Sequence, residues 1–299
     1  MALLIITTIL WAFSFSLIGE YLAGSVDSYF SVLMRVGLAA LVFLPFLRTR
    51  GQSPRTIVLY MLVGAMQLGI MYLLAFRAYI YLTVSEFLLF TVFTPLYITL
   101  IYDLLSGRKL RWGYLLSAAL AVLGAAIIRY DKVSDHFWTG LLLVQLSNLC
   151  FAIGMVGYKR LMEVRPMPQH NAFAWFYVGA FIVAVAAWFM LGNPQKLPTT
   201  TLQWSVLVWL GVVASGLGYF MWNYGATQVD AGTLGIMNNV HVPAGLLVNL
   251  AIWQEQPHWP SFISGALVIL ASLWVHRRWV APHSGQTADD RRRGSAQSE

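Results

Sequence analysis

The sequence has little charge and almost no cysteine. Only 10% of its 299 residues are Asp, Glu, Lys or Arg, where a soluble domain carries about 25%. A chain this apolar cannot solvate itself as a globule. Cys150 is the single cysteine, which excludes a disulfide framework and a thiolate metal cluster. There is no GxxxxGK(S/T) loop, so ATP hydrolysis by that route is excluded. HExxH and GxSxG are absent, and no pair of intramembrane aspartates suggests a protease. The sequence therefore points to no cofactor, no metal and no catalytic residue.

What the chain has is long apolar runs. A membrane-spanning helix needs about 20 mainly apolar residues. Ten stretches qualify, at roughly 3–19, 29–47, 57–76, 84–104, 112–129, 139–158, 171–191, 203–223, 233–253 and 260–279. Strands of a membrane barrel would alternate over about ten residues, whereas these runs are continuous and twice as long. The expected class is an all-α integral membrane protein of ten helices. Residues 1–24 resemble a signal peptide, but no Lys or Arg precedes the apolar run and it reads as the first span.

The net charge of +7 is unevenly placed. With the N-terminus inside, fourteen Lys and Arg fall in cytoplasmic segments and four in outer loops, with Arg35 inside a span. The positive-inside rule then puts both termini in the cytoplasm. The basic residues are dispersed through loops, which argues against a nucleic-acid partner. Residues 280–299 read as a disordered basic tail. The lipid bilayer and a small-molecule substrate are the partners implied, and no obligate protein partner is evident.

Residues 76–128 realign without gaps on 224–276, a constant offset of 148. Pro95 falls on Pro243, Ala78 on Ala226 and Ala118 on Ala266. The chain divides into a first repeat over 1–132 and a second over 133–279, each with five spans. An odd count forces the second copy upside down. A 5+5 inverted repeat is a common build of secondary transporters, with the substrate near the midplane.

Polar residues within the spans mark candidate sites. Arg35 lies seven residues into the second span, while Tyr177 occupies the matching place in the seventh. It is a counter-ion for an anionic substrate, half of a structural ion pair or an anchor for helix carbonyls. Glu86 opens the fourth span and is the candidate for proton coupling, with a partner for Arg35 or Arg77, or a solvated helix-end carboxylate, as the alternatives. The ninth span holds Asn238 and His241 on one face and is interrupted by Pro243. Pro95 and Pro243 each loosen a helix and are candidate hinges, Pro95 freeing a carbonyl near Thr91. Asn148 and Asn223 add amides, and Trp11, Tyr72, Tyr219 and Trp222 add aromatic faces. Small residues at four-residue spacing, Ala65/Gly69 and Gly211/Ser215, read as close helix contacts.

Trp11-Ala12-Phe13-Ser14-Phe15 resembles the first-span motif of the drug/metabolite transporter superfamily, in its EamA-like branch. Arg35-x-x-x-Ala39-Ala40 followed by Pro45 is similar to the family's second-span signature. The resemblance covers residues 1–279. It implies a secondary transporter in the bacterial inner membrane, moving a small metabolite by alternating access. The residues alone leave open uptake, export of amino acids, amines or other metabolites, and a non-transporting membrane enzyme or accessory subunit.

Overall fold

In hydrocarbon every backbone polar group must be satisfied within the chain, so apolar runs of this length become helices. The computed structural model describes residues 2–105 and 135–229, with scattered positions at 120–123 and 234–274. Helices α1 (Ala2–Tyr21), α2 (Ser28–Phe43), α3 (Pro54–Ala78), α4 (Val84–Thr91), α5 (Thr94–Leu105), α6 (Asp135–Val164), α7 (Gln169–Leu191) and α8 (Thr201–Thr227) account for most of the described chain. There is no strand among the described residues. Seven spans are long and apolar enough to cross a membrane, with α4 and α5 together forming one of them. They coincide with the expected spans one to four and six to eight. The fifth and tenth stretches fall largely, and the basic tail wholly, outside the described residues, and the ninth is described in part.

Helix starts carry their own chemistry. Asp27 accepts from the Phe30 N–H ahead of α2. Thr83 and Glu86 form a capping box at α4, and Thr200 and Gln203 form another at α8. Each satisfies backbone donors that a helix leaves open.

The fourth span breaks where Pro95 predicts. α4 ends at Thr91, and α5 begins at Thr94 with Pro95 in its first turn. The carbonyls freed are bonded at once. The Thr94 hydroxyl donates to Thr91 O at 2.7 Å, while Gln145 Nε2 and Asn148 Nδ2 donate to Phe90 O at 3.2 and 3.0 Å. α6 therefore splints the break.

Two other helices are widened. α3 is π-helical over Ala65–Ile70 and α8 over Leu210–Leu217, and such bulges often sit at functional places. α3 packs against α6 and α7, while α8 packs against α1 and α2. The α3–α7 crossing is backbone on backbone. A Cβ on Gly64 would lie 1.8 Å from the Phe176 carbonyl oxygen, and one on Gly179 would lie 1.9 Å from that of Met61. At one end of the bundle Asp27 N donates to Lys196 O at 2.8 Å, and Asn193 N donates to the Asp27 carboxylate at 3.3 Å. At the other, Arg48 N donates to Asn171 Oδ1 at 3.0 Å and Trp175 Nε1 to Arg48 O at 3.2 Å.

The glycine crossing yields a test. Leucine at Gly64 or Gly179 meets backbone that cannot rotate away, so the cost is expected to exceed the about 1–3 kcal/mol of ordinary overpacking. The monodisperse peak of the detergent-solubilised protein in size exclusion is expected to disappear. Gly24→Ala, in a turn at φ +74° with open space around it, is expected to cost only about 1 kcal/mol and to keep the peak.

Candidate functional site

A cavity of about 650 Å³, its open mouth included, lies among α1, α2, α3, α4, α5, α6 and α8. Ser215, in the widened part of α8, organises one wall. Arg35 Nε donates to Ser215 Oγ at 2.6 Å, and Tyr72 Oη pairs with the same oxygen at 2.9 Å. The guanidinium carbon also stands 4.2 Å from the centre of the Tyr72 ring. Arg35 is 3% exposed, and no carboxylate lies within ion-pair distance of it among the described residues. Its charge is supported by a ring face and a hydroxyl, and its two terminal nitrogens make no hydrogen bond among the described residues. A buried cation held this way has strong unmet affinity for an anion.

Backbone carbonyls of the same α8 segment are taken by side chains from other helices. Trp11 Nε1 donates to Ala214 O at 3.0 Å. Tyr177 Oη donates to Ser215 O at 2.6 Å and reaches Gly216 O at 3.1 Å. Arg35 and Tyr177 thus meet on one residue.

Six of the sequence candidates line this cavity together: Trp11, Arg35, Tyr72, Asn148, Tyr219 and Asn238. Trp11 lies 4.6 Å from Tyr219 and 5.0 Å from Trp222, centre to centre. Trp222 and Asn223 lie behind the wall. The Trp222 indole donates to Met155 Sδ at 3.3 Å. Asn223 and Gln67 exchange two amide hydrogen bonds, 2.9 and 3.0 Å, with both side chains buried. Glu86 is placed in the α4 capping box, its carboxylate accepting from Thr83 N at 3.0 Å. It does not line the cavity. His241 and Pro243 lie outside the described residues.

The sequence reading missed Ser215 as a ligand, taking it for a packing residue. It also missed Phe15, Tyr79, Phe87, Thr94, Ser147 and Phe151, all of which line the cavity. Some were within reach. Phe15 follows Trp11 by four residues, and Tyr79 follows Tyr72 by seven, so each shares its helix face. Tyr79 stacks on Phe87 at 4.2 Å.

Ser215→Ala removes the acceptor of a buried guanidinium and the partner of Tyr72. It is expected to cost about 1–3 kcal/mol, read as a lowered midpoint of thermal unfolding by tryptophan fluorescence. Ser215→Thr, which keeps the hydroxyl, is expected to lose less.

The EamA-like transporter family matches residues 1–130 and again 138–277. The biotin transporter of Escherichia coli (strain K12) is 83% identical over the full length of both chains. A probable biotin transporter of Pseudomonas aeruginosa is 56% identical over 279 residues, covering 93% of this chain and 97% of its own. A protein of known crystal structure, only 17% identical, superposes with a TM-score of 0.65 over 92% of this chain and 95% of its own, a likeness of fold alone. Matched almost end to end, this chain belongs to the EamA-like transporter family.

Proposed function

We propose that this chain takes up biotin across the bacterial inner membrane by alternating access, driven by the proton gradient, with Arg35 holding the carboxylate. The observation that carries the reading is the buried guanidinium, facing a cavity with no carboxylate partner among the described residues, in a chain 83% identical to a biotin transporter. Biotin has one carboxylate, a ureido ring and an apolar bicycle. A two-point charge-assisted contact suits the first, and Trp11, Phe151 and Tyr219 supply an aromatic wall for the last.

Two antiparallel halves of five helices, with both termini in the cytoplasm, are part of the same proposal. The double family match supports it. So does the packing, because exchanging α1 with α6, α2 with α7 and α3 with α8 turns the α1–α8 contact into α6–α3 and the α2–α8 contact into α7–α3. The split of basic residues supports the orientation. Proton coupling is assigned to Glu86, a buried carboxylate at the start of α4.

Labelled-biotin uptake in a strain lacking its own transporter and biosynthesis is the direct test. Uptake is expected well above an empty vector, and none would sink the reading in favour of export or a non-transporting role. Arg35→Ala is expected to lower kcat/KM about 10- to 100-fold at normal protein level, and normal transport would remove the carboxylate assignment. A protonophore is expected to abolish accumulation against a gradient. Glu86→Gln keeps an oxygen for the Thr83 cap, so it is expected to lose accumulation while still exchanging biotin across the membrane. Full accumulation in that variant would remove Glu86 from coupling.

A further inference from the structure

The cavity wall formed by the α4–α5 break and α6 is chemically one-sided. Thr94 Oγ1 donates to Thr91 O at 2.7 Å, and Ser147 Oγ donates to Met71 O at 3.1 Å. A carbonyl only accepts, so both hydroxyl protons are committed. Asn148 gives its amide hydrogens to Phe90 O at 3.0 Å and Gln145 Oε1 at 3.4 Å. What these three side chains retain is the ability to accept, through two hydroxyl oxygens and Asn148 Oδ1. All three are buried and line the cavity.

Asn238 lines the same space and is 1% exposed, and its Nδ2 has no hydrogen-bond partner among the described residues. A buried donor without an acceptor is rare and costly, and a ligand carbonyl would relieve it. Three acceptors and one unmet donor therefore line one cavity, and none of these four side chains carries a formal charge. Arg35 stands on a different wall, carried by α2 and tied to α8.

We infer that this wall selects the uncharged cyclic urea of the substrate. The two ring N–H groups donate to the oxygens of Thr94, Ser147 and Asn148, and the ring carbonyl accepts from Asn238 Nδ2. The inference rests on the proposed uptake of biotin and adds which residues recognise the ring. It also fixes the substrate's direction in the cavity. A carboxylate turned toward this wall would meet three hydrogen-bond acceptors, while the same group turned toward Arg35 meets a cation. The urea pole is assembled by the helix break, because two of its three acceptors are oriented by carbonyls that the break releases.

The test uses the wild-type protein first. Desthiobiotin keeps the urea and the carboxylate but lacks the sulfur ring, and is expected to compete with labelled biotin about tenfold less well than biotin itself. Biotin methylated on both ring nitrogens keeps its charge and ring skeleton but has no N–H to donate, and is expected to compete at least about tenfold more weakly than desthiobiotin. Equal competition by the methylated compound would overturn the inference. In a second arm, Thr94→Val combined with Ser147→Ala is expected to raise KM for biotin about tenfold with a smaller change in kcat. An unchanged KM would overturn it as well. If the wild-type protein takes up no biotin, the proposed function falls and the urea assignment with it. If it takes up biotin but ignores ring methylation, the urea assignment falls alone.

Discussion

The bond between Arg35 and Ser215 is the constraint around which the described helices are arranged. A guanidinium this deep must have its charge supported by something other than water. Here the support comes from three helices: the residue itself on α2, the Tyr72 ring and hydroxyl on α3, and Ser215 on α8. The hydroxyl reaches that position because α8 is widened over Leu210–Leu217. The widening loosens the regular carbonyl ladder, and Trp11 from α1 and Tyr177 from α7 bond carbonyls within it. Four helices, α1, α2, α3 and α7, are tied to one turn of α8 by polar contacts that the lipid cannot replace.

The α4–α5 break shows a second use of unsatisfied backbone. Proline removes a donor and releases a carbonyl, and in hydrocarbon that carbonyl needs a partner. The partners chosen are Thr94, Gln145 and Asn148. Their protons go to the backbone, so the faces they turn elsewhere are acceptors. A local repair of helix geometry thereby sets the chemistry of a cavity wall.

Much of this was legible in the sequence, and the remainder fails for physical reasons. Long apolar runs define spans because backbone satisfaction leaves few alternatives, and seven of the expected ten match observed helices. Pro95 marks its break correctly, since the loss of a donor is independent of context. Six candidate polar and aromatic residues converge on one cavity because polar groups within spans face the bundle interior. Ser215 was read as a small residue for close packing. Its neighbour Gly211 does pack closely, 2.7 Å from its Cβ position to Leu38. What separates the two is the rotation of the π segment, which no residue type announces. Asn223 and Asn148 look alike in sequence, yet one faces Gln67 and the other lines the cavity. A helix's rotation about its own axis depends on its neighbours, and composition carries little of it.

The Gln67–Asn223 pair has a consequence for how the bundle opens. Each amide gives one hydrogen bond and receives one, so every polar atom of the pair has a partner, and both side chains are buried. Water is the one ubiquitous molecule that offers the same two functions to either half. Parting the amides while dry would strand four polar atoms, whereas parting them as water enters exchanges like for like at small net cost. A separation of α3 from α8 at this level would therefore have to admit water as it occurred.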